Sequence, residues 1–316
     1  MTLTNTFLGT TEIKVPSLCL GTWSWGDSLF WNYGKNYGKV EVAEAFKAAI
    51  EAGLNFFDTA EVYGNGISER LLGEFVQNTS QPVQIATKYG PTPWRVWGDS
   101  VADALTASLK RLQVPLVPLY QVHWPFTFFM SQETLMNALA DEVKQGRILA
   151  VGVSNYSAKE MRQAHQILAS RGIPLATNQV RYSLLARKIE SQGILYTARE
   201  LGVTILAYSP LAQGLLAGKY TADNPPVGAR RLDPKFSRSG LAKIEPVLSL
   251  LRQIGEKYDR TPAQVALNWI NARDRVIAIA GVKTAAQVKD NAGALGWQMS
   301  DEEIEQLEKA SRPWLN

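Results

Sequence analysis

Four residues of the kinds that move protons and hold charge follow three consecutive apolar runs of the sequence. Asp58 lies at the end of the second candidate strand and Tyr63 follows it, Lys88 ends the third and His123 ends the fourth. A free tyrosine has a pKa of about 10, and a lysine ammonium beside it favours the phenolate and lowers that pKa. A carboxylate keeps such a lysine charged in a poor solvent, so we expect Asp58 to hold Lys88. Tyr63 is then expected to act as a general acid, with His123 orienting a carbonyl oxygen and stabilising the developing alkoxide.

These side chains suit the reduction of a carbonyl group to an alcohol. They supply a proton and charge stabilisation but no hydride, so a cofactor must supply the hydride. Taken singly, each residue type more often has a structural role, and it is the convergence of all four on one face that favours a catalytic site. A Schiff-base enzyme with Lys88 as its nucleophile is the less favoured alternative, because that reaction needs a neutral amine and Asp58 favours the ammonium.

The elements that would position these residues alternate regularly along the chain. The candidate strands are 17–22, 54–59, 83–88, 116–123, 148–153, 175–180, 203–208 and 276–280. The candidate helices are 40–52, 68–78, 100–112, 131–145, 157–171, 190–201, 262–272 and 284–294. Strands that are apolar at nearly every position are typical of a parallel sheet covered by helices. The pattern predicts an α/β fold, a (β/α)8 TIM barrel, with catalytic residues at the C-terminal ends of its strands.

Three segments lie outside the eight units. Residues 6–16 are expected to form a hairpin that seals the barrel floor, and residues 211–260 a long loop after strand 7 with a helix near 242–257. Residues 300–311 are expected to form an extra C-terminal helix. Ser157 with Glu160 and Ser300 with Glu303 fit capping boxes. We expect residues 1–316 to form a single domain.

Composition excludes several other classes of protein. Hydrophobic residues make up 46% of the 316 residues and charged residues 20%, which is ordinary for a globular enzyme. The net charge of +4 is spread without a basic run, so no nucleic-acid partner is expected. The single cysteine, Cys19, lies in an apolar run and is expected to be a buried strand residue. No membrane span, secretion signal or metal site is expected, and a soluble cytoplasmic protein is the default, with a removed transit peptide left open.

Several motifs along nearly the whole chain resemble those of the aldo-keto reductase superfamily. They are Gly21-Thr22-Trp23, the run 58–64, Thr87-Lys88, the stretch 108–112 leading to His123-Trp124-Pro125, and Gly152-Val153-Ser154-Asn155. The resemblance is to the long-loop subgroup, near its potassium-channel β-subunit-like and bacterial or plastid oxidoreductase branches. It implies a barrel that binds NADPH in an extended form without a Rossmann domain. It also implies that Asp58, Tyr63, Lys88 and His123 are the catalytic tetrad.

The same resemblance implies a set of cofactor-binding residues. Ser154, Asn155 and Gln179 match residues that bind the nicotinamide carboxamide, and Tyr208 matches the aromatic residue that stacks on the ring. The loop 213–219 resembles the one that covers the pyrophosphate. The full implied set is Gly21, Thr22, Trp23, Ser154, Asn155, Gln179, Tyr208, Ser209, Pro210, Leu211, Gln213, Gly214, Lys219, Gly281, Lys283, Thr284, Gln287, Asp290 and Asn291.

Lys283 is the expected partner of a 2′-phosphate, because a cation there distinguishes NADPH from NADH. Many family members have an arginine where Gln287 stands, so the extent of the NADPH preference is open. Arg230 and Arg231 in the long loop either assist or are solvated. A P-loop is excluded, because Gln213 stands at its first glycine and Tyr220 at its Ser or Thr.

Aromatic residues crowd the loops that follow the strands. Those expected to line a substrate pocket are Trp25, Trp31, Tyr33, Trp94, Trp124 and Phe126, and Trp23, Trp97, Phe128 and Phe129 belong to the same group. Such walls favour an apolar or aromatic aldehyde, ketone or quinone as the small-molecule substrate. The alternative function is a cofactor-binding, redox-sensing regulatory protein that turns over slowly, as the resemblance to potassium-channel β subunits suggests.

Overall fold

A computed structural model describes residues 5–126, 128, 130–221, 224–226 and 232–315. In that part of the chain a hairpin of β1 (Asn5–Phe7) and β2 (Lys14–Pro16) precedes a closed barrel of eight parallel strands. The barrel strands are β3 (Leu18–Gly21), β4 (Phe56–Asp58), β5 (Gln84–Tyr89), β6 (Val117–Val122), β7 (Ile148–Ser154), β8 (Leu175–Arg181), β9 (Thr204–Tyr208) and β10 (Val276–Gly281). They pair in chain order and β10 closes on β3. The predicted (β/α)8 barrel is confirmed.

The helices occupy the predicted places. They are α1 (Lys39–Glu51), α2 (Ile67–Gln77), α3 (Asp99–Leu112), α4 (Gln132–Lys144), α5 (Ala158–Ala169), α6 (Lys188–Ser191), α7 (Ile194–Leu201), α8 (Arg238–Tyr258), α9 (Pro262–Asn271), α10 (Ala285–Ala292) and α11 (Asp301–Ala310). The predicted helix 190–201 is in fact two helices, because Gly193, at φ +72°, separates α6 from α7. No helix in the described ranges is long and apolar enough to cross a membrane.

Alternation along the strands divides the core into two layers. Leu18 and Leu20 of β3 pack outward with residues of the helices, and Cys19 between them packs inside the barrel with Phe56 and Ala86. Successive side chains of a strand point to opposite faces, so a run that is apolar throughout fills both layers. Cys19 is therefore the buried strand residue that the sequence predicted.

The hairpin closes the end of the barrel from which the strands begin. Leu8 and Val15 are fully or almost fully buried in the inner core. The Gly9 amide donates to Thr204 Oγ1 at 2.8 Å, at the first residue of β9. Because this end is sealed, the open end is the one at which the strands finish.

The two capping boxes that the sequence predicted are present at the N-termini of α5 and α11. Ser157 accepts from the Glu160 amide, and the Glu160 carboxylate accepts from the Ser157 amide, so the capping box is formed. The same reciprocal arrangement joins Ser300 and Glu303 at α11. Such caps satisfy backbone donors that the helix cannot satisfy itself.

Candidate active site

Lys88 joins the acidic and phenolic members of the predicted tetrad. Its ammonium is fully buried and donates to Asp58 Oδ1 at 2.6 Å, to the Thr59 carbonyl at 2.8 Å and to the Tyr63 hydroxyl at 3.3 Å. Asp58 ends β4 and Lys88 lies in the neighbouring strand β5, so the barrel register brings them together. A buried lysine is held charged by this partner set.

Asp58 is in turn held by two glutamines from across the barrel. Gln179 of β8 donates to Asp58 Oδ2 at 2.7 Å, and Gln121 of β6 donates to the same atom at 3.3 Å. Asp58 is 2% exposed, and three donors offset the desolvation of its carboxylate. Gln121 is a residue that the sequence analysis did not single out. Its signal was a polar residue inside an otherwise apolar strand, two positions before His123.

The loop that carries Tyr63 is fixed by close backbone packing. Gly64 has φ +55°, and a Cβ there would meet the Gly26 carbonyl oxygen at 2.8 Å. A side chain at this position would therefore push the loop away. Glu61, two residues before Tyr63, accepts from the Gly90 amide at 2.6 Å and from the Arg95 guanidinium. These contacts tie the loop after β4 to the loop after β5.

Burial sets the direction of the pKa of Tyr63. Desolvation of the phenol raises the pKa and is the largest cause, while the charge of Lys88 lowers it. The net change is upward, so the expectation of a lowered pKa is wrong. The pKa of Lys88 is also raised, because Asp58 and Tyr63 together outweigh the effect of its burial. Both groups therefore hold their protons at neutral pH.

His123 is neutral in this site. Burial, helped by the charge of Lys88, lowers its pKa to about 2. Its ring stacks on Trp124 with centroids 3.7 Å apart and lies edge-on to Tyr63 at 5.8 Å. Its Nδ1 has no hydrogen-bond partner among the described residues. A neutral imidazole has one N–H donor, which can orient a carbonyl oxygen.

A cleft of about 890 Å³ opens over these residues. Of the tetrad, Asp58, Tyr63 and His123 line it, and Lys88 lies buried behind them. The predicted cofactor residues that line it are Gly21, Trp23, Ser154, Asn155, Gln179, Tyr208, Ser209, Pro210, Leu211, Gln213, Gly214, Lys219, Gly281, Lys283, Gln287, Asp290 and Asn291. Trp31 and Trp124 line it as well. The cleft therefore runs from the tetrad to the start of α10.

The residues matched to the nicotinamide carboxamide are bonded to each other. Asn155, at φ +62°, donates to the His123 carbonyl at 3.2 Å, and its Oδ1 accepts from the Tyr208 hydroxyl at 3.0 Å. Ser154 donates to the Gln179 carbonyl at 2.9 Å. This network holds the polar groups in place across β7, β8 and β9.

Cationic and amide groups converge at the far end of the cleft. The Lys283 ammonium lies 4.3 Å from the centroid of the Trp31 ring, and the Lys283 amide donates to Gln287 Oε1 at 2.8 Å. The side-chain oxygen of Gln287 is therefore engaged by the backbone before α10. Thr284 caps α10 by accepting from the Gln287 amide and does not line the cleft.

Several predicted site residues lie elsewhere. Trp25 is fully buried in the outer core, and its indole donates to the Val282 carbonyl at 2.9 Å, so it is a core residue and not part of the pocket. Thr22 is fully buried and donates to the Asp58 carbonyl at 3.0 Å. Trp94 is 76% exposed and lies away from the cleft, because the loop after β5 carries it into solvent.

Two other predicted pocket residues, Tyr33 and Phe126, are not among the described residues that line the cleft. Tyr33 packs against Tyr37 at 5.6 Å, and Phe126 is 49% exposed and stacks on Trp124 at 6.1 Å. Phe128 and Trp97 are largely exposed. Phe129, Arg230 and Arg231 lie outside the described residues.

The cleft also has walls that the sequence analysis missed. Tyr220 and the start of α9 at Thr261, Pro262 and Ala263 line it. The pair Thr261-Pro262 is recognisable as a helix start, but nothing in the sequence says that this helix start faces the cleft. The position of this helix start depends on the path of the long loop after β9, and the sequence does not indicate that path.

Comparison with known proteins decides the family. The model of the aldo/keto reductase family matches residues 17–312. The chain belongs to this family. Its members use nicotinamide cofactors, which is in keeping with the polar residues of the cleft.

Relatives of this aldo-keto reductase include enzymes that are named for different substrates. It is 38% identical over 312 residues to the chloroplastic pyridoxal reductase of Arabidopsis thaliana, a match that covers 95% of this chain and 84% of the relative. It is 31% identical over 320 residues to an NADH-specific methylglyoxal reductase of Escherichia coli, with 93% and 94% covered. The glycerol dehydrogenase of Gluconobacter oxydans superposes with a TM-score of 0.85 at 27% identity, covering 99% of this chain and 96% of that one.

Proposed function

We propose that this aldo-keto reductase uses NADPH to reduce aldehyde, ketone or quinone carbonyls to alcohols, with Tyr63 as the proton donor. The observation that carries the proposal is the Lys88 ammonium, which donates both to Asp58 at 2.6 Å and to the Tyr63 hydroxyl at 3.3 Å. This contact joins the proton donor, Tyr63, to the buried ion pair of Lys88 and Asp58. A carbonyl oxygen that reaches the Tyr63 hydroxyl from the cleft has a proton to receive there.

Proton transfer from Tyr63 is supported by the charges around it. The raised pKa of Tyr63 keeps the phenol protonated at neutral pH, so the proton is present when a substrate arrives. Once the Tyr63 hydroxyl has given its proton, Lys88 stabilises the phenolate that is left. Asp58 keeps Lys88 charged throughout, and the neutral His123 orients the carbonyl oxygen.

The residues of the cleft fit a dinucleotide. The volume of about 890 Å³ extends from the tetrad to Lys283, and Gly281 leaves open space where a Cβ would project. Ser154, Asn155 and Gln179 would hold the carboxamide end, and Lys283 with Gln287 would hold a phosphate on the adenosine ribose. When bound, the nicotinamide supplies the hydride that none of these side chains can supply.

Lys283 supports a preference for NADPH over NADH. A 2′-phosphate carries negative charge, and an ammonium at the end of the cleft compensates that charge. Gln287 adds a hydrogen-bond donor but no charge. Because one relative is named as NADH-specific, the preference requires its own measurement.

An apolar or aromatic substrate is supported by the walls next to Tyr63. The Trp23 ring lies 6.3 Å from the Tyr63 ring, and Trp31 meets Trp23 edge-on at 5.4 Å. Trp124 closes the other side against His123. These rings give an apolar wall to the place where the carbonyl would lie.

We also propose that residues 1–316 are one domain, in line with the family match over 17–312.

Steady-state oxidation of NADPH and NADH against an aryl aldehyde and an o-quinone tests the proposal. We expect turnover that is faster with NADPH and that is lost in Tyr63→Phe. Tight NADPH binding by the wild type without turnover on either substrate class would instead favour a redox-sensing regulatory protein.

A further inference from the structure

A second cavity, of about 460 Å³, lies beside the cofactor cleft. It opens between the end of β8, the segment 185–194 and the chain near Trp314. Asn155 is the one residue that lines both spaces among the described residues. On the cleft side its amide is engaged by Tyr208 and the His123 carbonyl, so Asn155 forms a wall between the two spaces.

The charges around this cavity have one sign. Arg181, Lys188 and Lys235 line it, and no carboxylate does so among the described residues. Within those residues Arg181 and Lys188 form no ion pair, and the Lys235 ammonium lies 3.9 Å from Asp233. Burial and the charge of Arg181 lower the pKa of Lys235, so the two cations are close enough to repel each other.

Apolar side chains form much of the remaining wall, and Asn155 and Gln192 are its uncharged polar amides. Leu185 and Ile189 are each 5% exposed and line the cavity together with Trp314. The Trp314 carbonyl accepts from the Arg187 amide at 2.8 Å, which fastens the end of the described chain to the loop after β8. A flat apolar body fits against these walls, and a space of several hundred Å³ is typical of small-molecule sites.

We propose that this cavity is a second binding site, which takes a small organic anion with an aromatic body, such as an aryl phosphate or carboxylate. The anionic group would lie between Arg181 and Lys235, where it relieves their mutual repulsion, and the ring would pack on Trp314. Two cations that meet an anion in a half-buried space form charge-assisted hydrogen bonds, which are stronger than neutral ones. This site does not depend on the proposed reaction.

Calorimetric titration of the protein with phenyl phosphate tests the proposal. We expect saturable binding that weakens about tenfold or more in Arg181→Gln and in Lys235→Gln, because each loses a bond to a charged group. Benzyl alcohol, which has the ring without the charge, should bind at least tenfold more weakly than phenyl phosphate. Lys110→Gln, an exposed lysine of α3, is the matched control and should bind as the wild type does.

The cofactor cleft contains its own cations, to which phenyl phosphate could also bind. A further variant therefore distinguishes binding in the cleft from binding in the second cavity. Lys283→Gln should leave phenyl phosphate binding unchanged if the ion occupies the second cavity. Binding that is lost in Lys283→Gln but kept in Arg181→Gln would place the anion in the cofactor cleft and overturn the proposal. No binding by the wild type, or equal binding of benzyl alcohol, would also overturn it. Circular dichroism of each variant checks that the fold is retained.

Discussion

Acid should destabilise the wild-type protein more than a variant that lacks His123. In the folded chain the pKa of His123 is lowered to about 2, by burial first and then by the charge of Lys88. In the unfolded chain the imidazole titrates at about 6.5. Between these two values the unfolded state binds one proton more than the folded state. Stability therefore falls as the pH falls through 6.5.

The magnitude follows from the two pKa values. Each pH unit below 6.5 costs about 1.4 kcal/mol once the unfolded imidazole is fully protonated. Between pH 7 and pH 5, linkage gives a loss of about 2 kcal/mol from His123 alone. Removing the imidazole in His123→Gln removes this loss, while the carboxylates of the protein respond equally in both chains.

Urea unfolding at pH 7 and pH 5 measures the difference. The free energy of unfolding of the wild type should fall by about 2 kcal/mol more than that of His123→Gln over this interval. His165→Gln, which changes the other histidine, is the matched control and should behave as the wild type does. Equal losses in the wild type and His123→Gln would mean that the buried imidazole titrates normally, and the account of a neutral His123 would be refuted.

Four other substitutions have expected outcomes. Asp58→Asn should lower the free energy of unfolding at pH 7 by about 3–5 kcal/mol, because it leaves the buried Lys88 ammonium without its counter-ion; a loss below 1 kcal/mol in urea unfolding would contradict this. Lys283→Gln should weaken the binding of NADPH about tenfold or more in fluorescence titration and leave the binding of NADH nearly unchanged. An equal change in affinity for both cofactors would exclude a role of Lys283 at the 2′-phosphate. Trp25→Ala should lower the free energy of unfolding by about 3–5 kcal/mol, because it truncates a core side chain. Trp23→Ala should chiefly raise KM for an aryl aldehyde. The reverse pattern would mean that Trp25 lines the substrate pocket.

The sequence predicted the barrel because local signals repeat along the whole chain. Strands apolar on both faces need an inner and an outer core, and Cys19 and its neighbours fill both. Capping residues such as Ser157 and Ser300 act within one turn of their own helix, so they can be read locally. The split between α6 and α7 was missed, although Gly193 was visible as a breaker.

The site was predictable where it follows from strand order, and not where it depends on loop paths. Asp58, Lys88 and His123 come together because neighbouring strands end at one face. Trp25 and Trp94 stand in loops whose direction has no sequence signature, and one turns into the core while the other turns into solvent. The raised pKa of Tyr63 results from burial outweighing the charge of Lys88. The extent of burial follows from the three-dimensional packing and not from the sequence.

The separation of cofactor binding from turnover in Tyr63→Phe tests the central claim most directly. Fluorescence titration should give the variant nearly the same Kd for NADPH as the wild type, because the phenol holds a proton for the substrate and not the cofactor. Single-turnover reduction of an aryl aldehyde by the bound NADPH should at the same time be slowed about a hundredfold or more. Turnover retained in the variant would contradict the role of Tyr63 as the proton donor, and an equal loss of binding and turnover would make its role structural.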